Sequence, residues 1–386
     1  MIVDSSFSKL EKFCIKNNFK GYDPFDALNS NFFIFFRLNK FYLLRLIWLQ
    51  FFKIFPINLR TVADVKKDYN SKGLGLFLSS YCNLYKINPK KKYLKKIHFF
   101  INQLNLLEVK GYSGSCWGYN FDWQARAFFQ PKNTPTVVAS VFIGYSLLDA
   151  YEILKDKKLL IKSRSICDFI LKDLNRTYDL DGNFCFSYSP LDKTQVYNAS
   201  LLGSRLLSRV YFYTKEKNLI QEAKRSVDFC VNKQKINGAW SYGNLDFHKW
   251  IDNFHTGYNI ECISEYVKYS GDNSYDKVLK KGLDYYLKNF FTKHGEPKYY
   301  NNKLYPIDLH STAQLIITLS RMDIFSKHKS LIDKVLNWSI LNMQDKKGFF
   351  YYQKNKFFTN KIPYMRWTQA WMFFSLTEYL KIQNES

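Results

Sequence analysis

Two short segments of the sequence place an aspartate just before a histidine, each time at the start of an apolar stretch. The pairs are Asp252 with His255 and Asp308 with His310. Both side-chain types exchange protons near neutral pH when burial or a neighbouring charge shifts their pKa values. An aspartate at a helix start also caps the helix, because its oxygens accept free backbone N–H groups. The repetition of the pair favours a role in proton transfer.

Other ionisable side chains stand beside these pairs or in other loops that precede apolar stretches. Tyr258 and Tyr305 could donate or accept a phenolic proton, and Asp122 supplies a third carboxylate. Arg126 and Arg366 could hold a carboxylate or phosphate in a planar, two-point grip that lysine does not reproduce. Each arginine could instead tie down a loop carbonyl.

Aromatic side chains accompany these groups and offer flat faces on which sugar rings stack. They are Trp117, Tyr119, Trp123, Trp240, Tyr242 and Trp367. Aromatic residues at repeated turns also pack between neighbouring elements, so we expect about half of them to contact a ligand. Trp123 and Trp367 are the strongest candidates, because each has an ionisable neighbour at a predicted helix entrance.

A repeated turn organises the chain that carries these residues. Glycine followed closely by aromatic residues recurs at Gly182, Gly238, Gly295 and Gly348, at spacings of 56, 57 and 53 residues, with a similar turn upstream at Gly114. Spacing of this size is typical of a stacked or closed repeat. Each unit predicts an apolar helix followed by an amphipathic, lysine-rich helix.

Six apolar inner helices and five amphipathic outer helices can be assigned in this register. The inner helices are predicted at Leu74–Tyr85, Thr136–Tyr151, Gln195–Tyr213, Thr256–Tyr269, His310–Met322 and Thr368–Leu380. The outer helices are predicted at Tyr93–Leu107, Lys158–Leu174, Leu219–Val231, Tyr275–Phe291 and Leu331–Met343. We therefore predict an all-α fold, an (α/α)6 toroid with short β-hairpins in its loops. The loops before the inner helices would then converge on one cleft.

The N-terminal segment, residues 1–70, stands apart from the toroid domain predicted at 71–386. It could supply the missing sixth outer helix and close the ring. Its most apolar part, Asn31–Phe55, is interrupted by Arg37, Lys40, Arg45 and Lys53, so it does not qualify as a bilayer span. A basic, aromatic helix of this kind either lies at a membrane surface or belongs to the core.

The charge balance of the chain indicates which kinds of partner it could bind. The chain has 57 Lys and Arg against 33 Asp and Glu, a net charge of +24, which favours an anionic partner. Without a zinc-finger spacing or a ribonucleoprotein motif, we do not expect nucleic acid, and we expect neither a cofactor nor a metal. The first residues lack the features of a secretory signal. Sequence therefore predicts a cytoplasmic protein, or a peripheral one at the inner face of the membrane.

Three runs carry a resemblance to a known superfamily: WGYNFDWQ at 117–124, WIDNFHTGYN at 250–259 and YPIDLHSTAQ at 305–314. From about Lys72 onward the chain resembles the α/α-toroid carbohydrate-active proteins, in particular those similar to the C-terminal domain of glucuronyl C5-epimerases among bacterial surface-polysaccharide genes. That superfamily includes uronate epimerases, polysaccharide lyases, unsaturated glucuronyl hydrolases and sugar 2-epimerases. The N-terminal sheet domains of glucuronyl epimerases have no counterpart in this sequence.

The resemblance implies an enzyme that removes the proton alpha to a uronate carboxylate in an acidic oligo- or polysaccharide or a lipid-linked glycan. His255 or Tyr258 would be the base, His310 or Tyr305 the acid, and Arg126 or Arg366 would neutralise the carboxylate. Two alternatives stay open: a glycoside hydrolase that uses two of Asp122, Asp252 and Asp308, and a noncatalytic protein that binds or assembles polysaccharide.

Overall fold

The computed structural model describes residues 2–126 and 128–385, and these contain fourteen α-helices and eight short strands. In chain order the helices are α1 (Ile2–Lys16), α2 (Asn31–Phe35), α3 (Tyr42–Ile54), α4 (Ser71–Ile87), α5 (Lys91–Leu106), α6 (Val137–Leu154), α7 (Lys157–Lys172), α8 (Tyr197–Thr214), α9 (Lys217–Val231), α10 (Asn253–Ser270), α11 (Asp276–Phe290), α12 (Leu309–Arg321), α13 (Lys329–Met343) and α14 (Trp371–Glu385). The strands are β1 (Trp123–Gln124), β2 (Phe129–Gln130), β3 (Arg176–Tyr178), β4 (Phe184–Phe186), β5 (Lys298–Tyr300), β6 (Lys303–Asp308), β7 (Gln353–Lys354) and β8 (Thr359–Asn360).

Six helices, α4, α6, α8, α10, α12 and α14, form a closed inner ring in which each helix packs against the next and α14 packs against α4. These helices are buried around most of their circumference, which explains why their sequences lack a solvent-exposed polar face. By length and composition α6 could cross a membrane, but 78% of that window is buried inside the protein, as befits a core helix of the ring. The predicted toroid is confirmed.

The outer layer is amphipathic, and its helices pack on the ring with lysines toward solvent. Helices α5, α7, α9, α11 and α13 each follow an inner helix. The sixth outer position, beside α14, is taken by α1, which also contacts α13. Phe7 of α1 packs edge-on against Phe373, at 5.0 Å between ring centroids, and Leu10 is fully buried. Hydrophobic burial therefore holds the N-terminal helix in the ring.

Short strands lie at the end of the ring where the inner helices begin. β1 pairs with β2 and β3 with β4, while β5, β6, β7 and β8 form one antiparallel sheet in that order. The sequence predicts only separate hairpins. The four-stranded sheet arises because β6 and β7, from adjacent repeats, pair through Ile307 with Lys354 and Asp308 with Gln353. Such long-range pairing of very short strands leaves no period-2 pattern in the sequence.

A band of buried ion pairs crosses the ring toward the C-terminal ends of the inner helices. Arg205 of α8 is 2.9 Å from Glu261 and also pairs with Glu265, both from α10. Arg209 is 2.7 Å from Asp149 of α6. Buried charges persist only when they are paired and hydrogen-bonded, so this band fixes how the inner helices register against one another.

Glu378 of α14 completes that band, and it generates a pH-dependent prediction. Its carboxylate accepts hydrogen bonds from Asn83, Ser320 and Lys381 at 2.6–2.8 Å. Burial alone would raise its pKa, but Lys381 and Arg321 outweigh that effect and lower the pKa from 4.5 to about 2. A carboxyl whose pKa is lower in the folded state stabilises the fold above pH 4.5 and loses that contribution as the pH falls toward 2.

We therefore expect Glu378→Gln to lower the free energy of unfolding by about 3 kcal/mol near neutral pH, with the difference from wild type shrinking as the pH falls below 4.5. Urea denaturation across this pH range measures it. Asp181→Asn, in an exposed turn, is the control and should give a small difference. A Glu378→Gln difference that is the same at every pH would contradict the assignment.

Candidate functional site

A cavity of about 430 Å³ opens at the end of the ring where the inner helices begin. Its walls come from α3, from β1 and the residues after it, from the segments before α8 and α10, from β5, and from the turn before α14. Aromatic rings make up most of the lining, and the ionisable groups among the described lining residues are tyrosines, histidines, Lys53, Arg126 and Arg366. No aspartate or glutamate of the described chain lines it. The cavity is therefore aromatic and positively charged.

His255 lines the cavity and is oriented from behind by Asp252. Asp252 caps α10 by accepting the backbone N–H of His255 at 3.3 Å, and its Oδ2 lies 2.8 Å from His255 Nδ1. Asp252 is buried and does not itself reach the cavity. With Nδ1 bound to the carboxylate, Nε2 is the ring nitrogen left for a ligand, so the pair can place a basic nitrogen in the cavity.

An aromatic cluster surrounds His255. Tyr242 stacks on Trp250 at 4.3 Å between ring centroids, and the His248 and His255 rings lie 5.0 and 4.8 Å from Tyr242. Burial, with Asp252 adding to it, raises the pKa of Tyr242, so the phenol keeps its proton. Burial and then Lys249 lower the pKa of His248, which favours its neutral form. The cluster offers a proton donor beside a base.

Arg366 lies on the cavity wall but is already committed to a carboxylate of the protein. Its Nε donates to Asp23 Oδ2 at 2.5 Å and its Nη2 to Asp23 Oδ1 at 2.7 Å, in a buried bidentate pair. The guanidinium also lies 5.1 Å from the Tyr119 ring centroid. Only Nη1 has no hydrogen bond to a described residue. The expected role in holding a substrate carboxylate is therefore limited to that one nitrogen.

Two other cations reach the cavity without a close carboxylate partner among the described residues. Lys53 of α3 and the exposed Arg126 after β1 make no ion pair within 4 Å with any described residue. Burial lowers the pKa of Lys53, while Asp308 acts in the opposite direction. These side chains are better placed than Arg366 to meet a ligand carboxylate.

Asp308 caps α12 and positions an indole rather than lining the cavity. It accepts hydrogen bonds from the His310 backbone at 2.9 Å, from Gln353 Nε2 at 2.7 Å and from Trp367 Nε1 at 3.0 Å. Burial raises its pKa to about 6, although these donors oppose the shift. The ring of Trp367 lies on the cavity wall. Asp308 thus orients a candidate sugar platform.

His310 and Tyr258 lie behind Phe254, out of the cavity lining. The His310 ring stacks on Phe254 at 4.2 Å, and its Nε2 is 2.8 Å from the Tyr258 hydroxyl. Burial, and then Lys72, lower the pKa of His310 well below its ordinary value. Lys72 is buried in the same cluster, 4.3 Å from the Phe142 ring centroid. These groups support the cavity floor formed by Phe254.

The remaining predicted residues divide between wall and core. Tyr119, Trp123 and Tyr242 line the cavity. Trp117 and Trp240 do not: their indole N–H groups donate to the Leu104 and Cys230 carbonyls at 2.8 and 3.0 Å within the core, so the expectation that they face sugar needs correction. Tyr305 lies half-buried on β6 outside the lining, and Asp122 accepts the backbone N–H of Lys132 at 2.6 Å.

Sequence reasoning missed Asp23, Lys53, His248 and Trp250. His248 and Trp250 stand in the same loop as Asp252, and proximity in that loop was a usable signal. Asp23 and Lys53 precede the repeats, and only tertiary packing brings them to the ring. Asn29 Nδ2 donates to the Asn120 carbonyl at 2.8 Å, and Arg45 donates to Gln124 at 2.8 Å, so the N-terminal segment is tied to the cavity wall.

No protein-family model and no curated protein sequence matches this chain. Solved structures do resemble it. Cellobiose 2-epimerase from Bacillus thermoamylovorans B4167 gives a TM-score of 0.62 at 13% identity, covering 82% of this chain and 90% of that chain. A glycoside hydrolase family 76 mannosidase from Bacteroides thetaiotaomicron VPI-5482 gives 0.63 at 12% identity, covering 86% and 91%. A family 88 glycosyl hydrolase from Bacteroides vulgatus gives 0.57 at 10% identity, covering 81% and 93%. At identities this low, the structural similarity shows the fold alone, which is that of the α/α toroids.

The pairing of Asp23 with Arg366 generates a stability prediction. Asp23→Ala leaves a buried guanidinium without its counterion, so we expect the free energy of unfolding to fall by about 3–5 kcal/mol in urea denaturation. The double variant Asp23→Ala with Arg366→Met removes both charges and should recover part of that loss.

The control is the exposed pair of Lys268 with Asp323, at 3.3 Å. Lys268→Ala should change stability by no more than about 1 kcal/mol. Equal losses in Asp23→Ala and Lys268→Ala would show that burial of the first pair carries no special cost.

Proposed function

We propose that the chain is a carbohydrate-active enzyme of bacterial surface-polysaccharide biosynthesis or modification, which removes the proton alpha to the carboxylate of a uronate unit. The observation that carries the proposal is the cavity itself: an Asp-oriented histidine, unpaired cations and aromatic faces, with no carboxylate on the described lining. The names of similar structures, among them a cellobiose 2-epimerase and a sugar epimerase, support an enzyme that acts on carbohydrate.

The proposed step begins when His255 Nε2 takes the proton from the carbon next to the carboxylate. The C–H electron pair then delocalises into the carboxylate, whose growing charge needs a cation or hydrogen-bond donor. Lys53, Arg126 and Arg366 Nη1 are the available groups on the wall. Return of a proton to the opposite face gives the epimer, whereas expulsion of the neighbouring glycosidic oxygen gives an unsaturated sugar. Tyr242, whose phenol keeps its proton, is the candidate for the proton donor in either case.

The geometry disfavours a glycoside hydrolase, although similar structures include hydrolases. Hydrolysis in most such enzymes needs two carboxyl groups facing the scissile bond. Asp252 and Asp308 are buried behind His255 and Trp367 and are occupied by those side chains. Asp122 also lies off the lining, bonded to a backbone N–H.

An isotope experiment tests the reaction. The protein is incubated in deuterated water with glucuronate-containing oligosaccharides, and the products are analysed by mass spectrometry and ultraviolet absorbance. We expect deuterium incorporation without cleavage for an epimerase, or an absorbing unsaturated end for a lyase. His255→Gln should abolish either signal, whereas His294→Gln, in an exposed turn, should not.

New reducing ends without deuterium or unsaturation would contradict proton abstraction and favour hydrolysis. If the wild-type protein binds uronate glycans but leaves every uronate polymer tested unchanged, a noncatalytic binding role would replace the proposal.

A second prediction separates orientation from binding. Asp252→Asn can still cap α10, but it has no negative charge to stabilise the positive charge that His255 gains when it takes a proton. We expect kcat to fall by about 100- to 10,000-fold with KM little changed. A change in KM alone would place Asp252 in substrate binding instead.

A further inference from the structure

The surface formed by α2, α3 and the residues around them is unusually apolar. Twelve large apolar side chains between Phe32 and Ile57 are exposed, against seventeen in all the rest of the described chain. Phe35, Leu43 and Ile47 are 79%, 62% and 56% exposed. Scattered exposed apolar residues are ordinary, but a contiguous patch marks an interaction surface. We call the exposed side chains from Phe32 to Ile57 the apolar face.

The segment that bears this face is firmly packed on its other side. Trp48 Nε1 donates to the Ala27 carbonyl at 3.1 Å, and the Trp48 ring stacks on Phe33 at 5.0 Å. Leu49 and Phe52 of α3 are buried. The apolar face is therefore an outward surface of an anchored helix, and not the exposed core of a loose one.

Helix α3 separates the cavity from an apolar groove. One stripe of the helix, which includes Leu49 and Lys53, lines the cavity, and the adjacent stripe of Ile47, Phe51 and Ile54 lines the groove. The groove encloses about 660 Å³, and its described lining is apolar except for Gln50. Leu46 and Gln50 border both spaces. A molecule with a sugar end and a hydrocarbon end would find a matching environment on each side of this helix.

Charge on the apolar face selects the partner. Of the cations in residues 31–57, Arg37 and Lys40 are exposed at this surface, whereas Arg45 and Lys53 turn toward the cavity wall. The segment contains no aspartate or glutamate. A second copy of the chain would bring the same cations against them, which disfavours symmetric pairing. An anionic bilayer instead accepts aromatic and aliphatic side chains at its acyl boundary and basic side chains at its headgroups.

We propose that the apolar face of α2 and α3 rests in the headgroup and acyl boundary of an anionic membrane. The cavity then opens next to the bilayer, where a membrane-borne, lipid-linked glycan can enter it. The docking stands on the surface alone, whereas the substrate class rests on the proposed function.

Vesicle flotation tests the docking with the full chain. The vesicles are phosphatidylcholine alone, or phosphatidylcholine mixed with phosphatidylglycerol. We expect wild type to float with the mixed vesicles and at least tenfold less with neutral ones. The triple variant Phe35→Ser, Leu43→Ser, Ile47→Ser should lose at least tenfold in the bound fraction.

The matched control is Ile161→Ser, Leu180→Ser, Leu341→Ser, which removes three exposed apolar side chains elsewhere and should float as wild type does. Circular dichroism and thermal unfolding check that both triple variants fold. Light scattering on the same samples reports self-association.

Wild type that fails to float, or an apolar-face variant that floats as well as wild type, would overturn the proposal. If wild type does not float but forms a dimer, and the apolar-face variant is a monomer, the face would be assigned to contact with a second copy. Flotation without deuterium incorporation or an unsaturated product would support membrane docking and contradict the uronate chemistry. Deuterium incorporation or an unsaturated product without flotation would support the uronate chemistry and contradict membrane docking.

Discussion

The buried pair of Asp23 and Arg366 is the constraint on which the rest of the cavity depends. An isolated guanidinium at this depth would be very costly, so the start of the last inner helix needs the N-terminal segment against it. Asp26 and Arg60, 2.6 Å apart, fix the same segment a few residues later. Once it is fixed there, α3 becomes a wall of the cavity and brings Lys53 with it.

The two aspartates at helix starts show that capping and function need not be alternatives. Asp252 and Asp308 each accept a backbone N–H of the helix they begin, and each also holds a side chain that lines the cavity. Their burial removes both carboxylates from contact with a ligand. An anionic ligand therefore contacts His255 and Trp367, while the two carboxylates lie behind these side chains.

The sequence predicted the toroid because its determinants are local. Turn glycines at nearly constant spacing, and helices of alternating apolar and amphipathic character, are visible within single repeats. What it did not predict depends on distant contacts: Asp23 beside Arg366, Lys53 in the cavity, and the pairing of β6 with β7. It ranked Trp123 and Trp367, which line the cavity, above the other aromatic candidates, but it still included Trp117, whose N–H is bound in the core.

The position of α1 has a consequence for how the chain folds during synthesis. This helix is made before the other helices of the ring, yet Phe7, Leu10 and Cys14 are buried in an outer position whose neighbours, α13 and α14, are the last helices of the ring to be made. Its apolar side stays without its partners until those two helices have left the ribosome. Ring closure is thus a late event with high contact order, and slow completion would expose the apolar seam to chaperones or to other nascent chains.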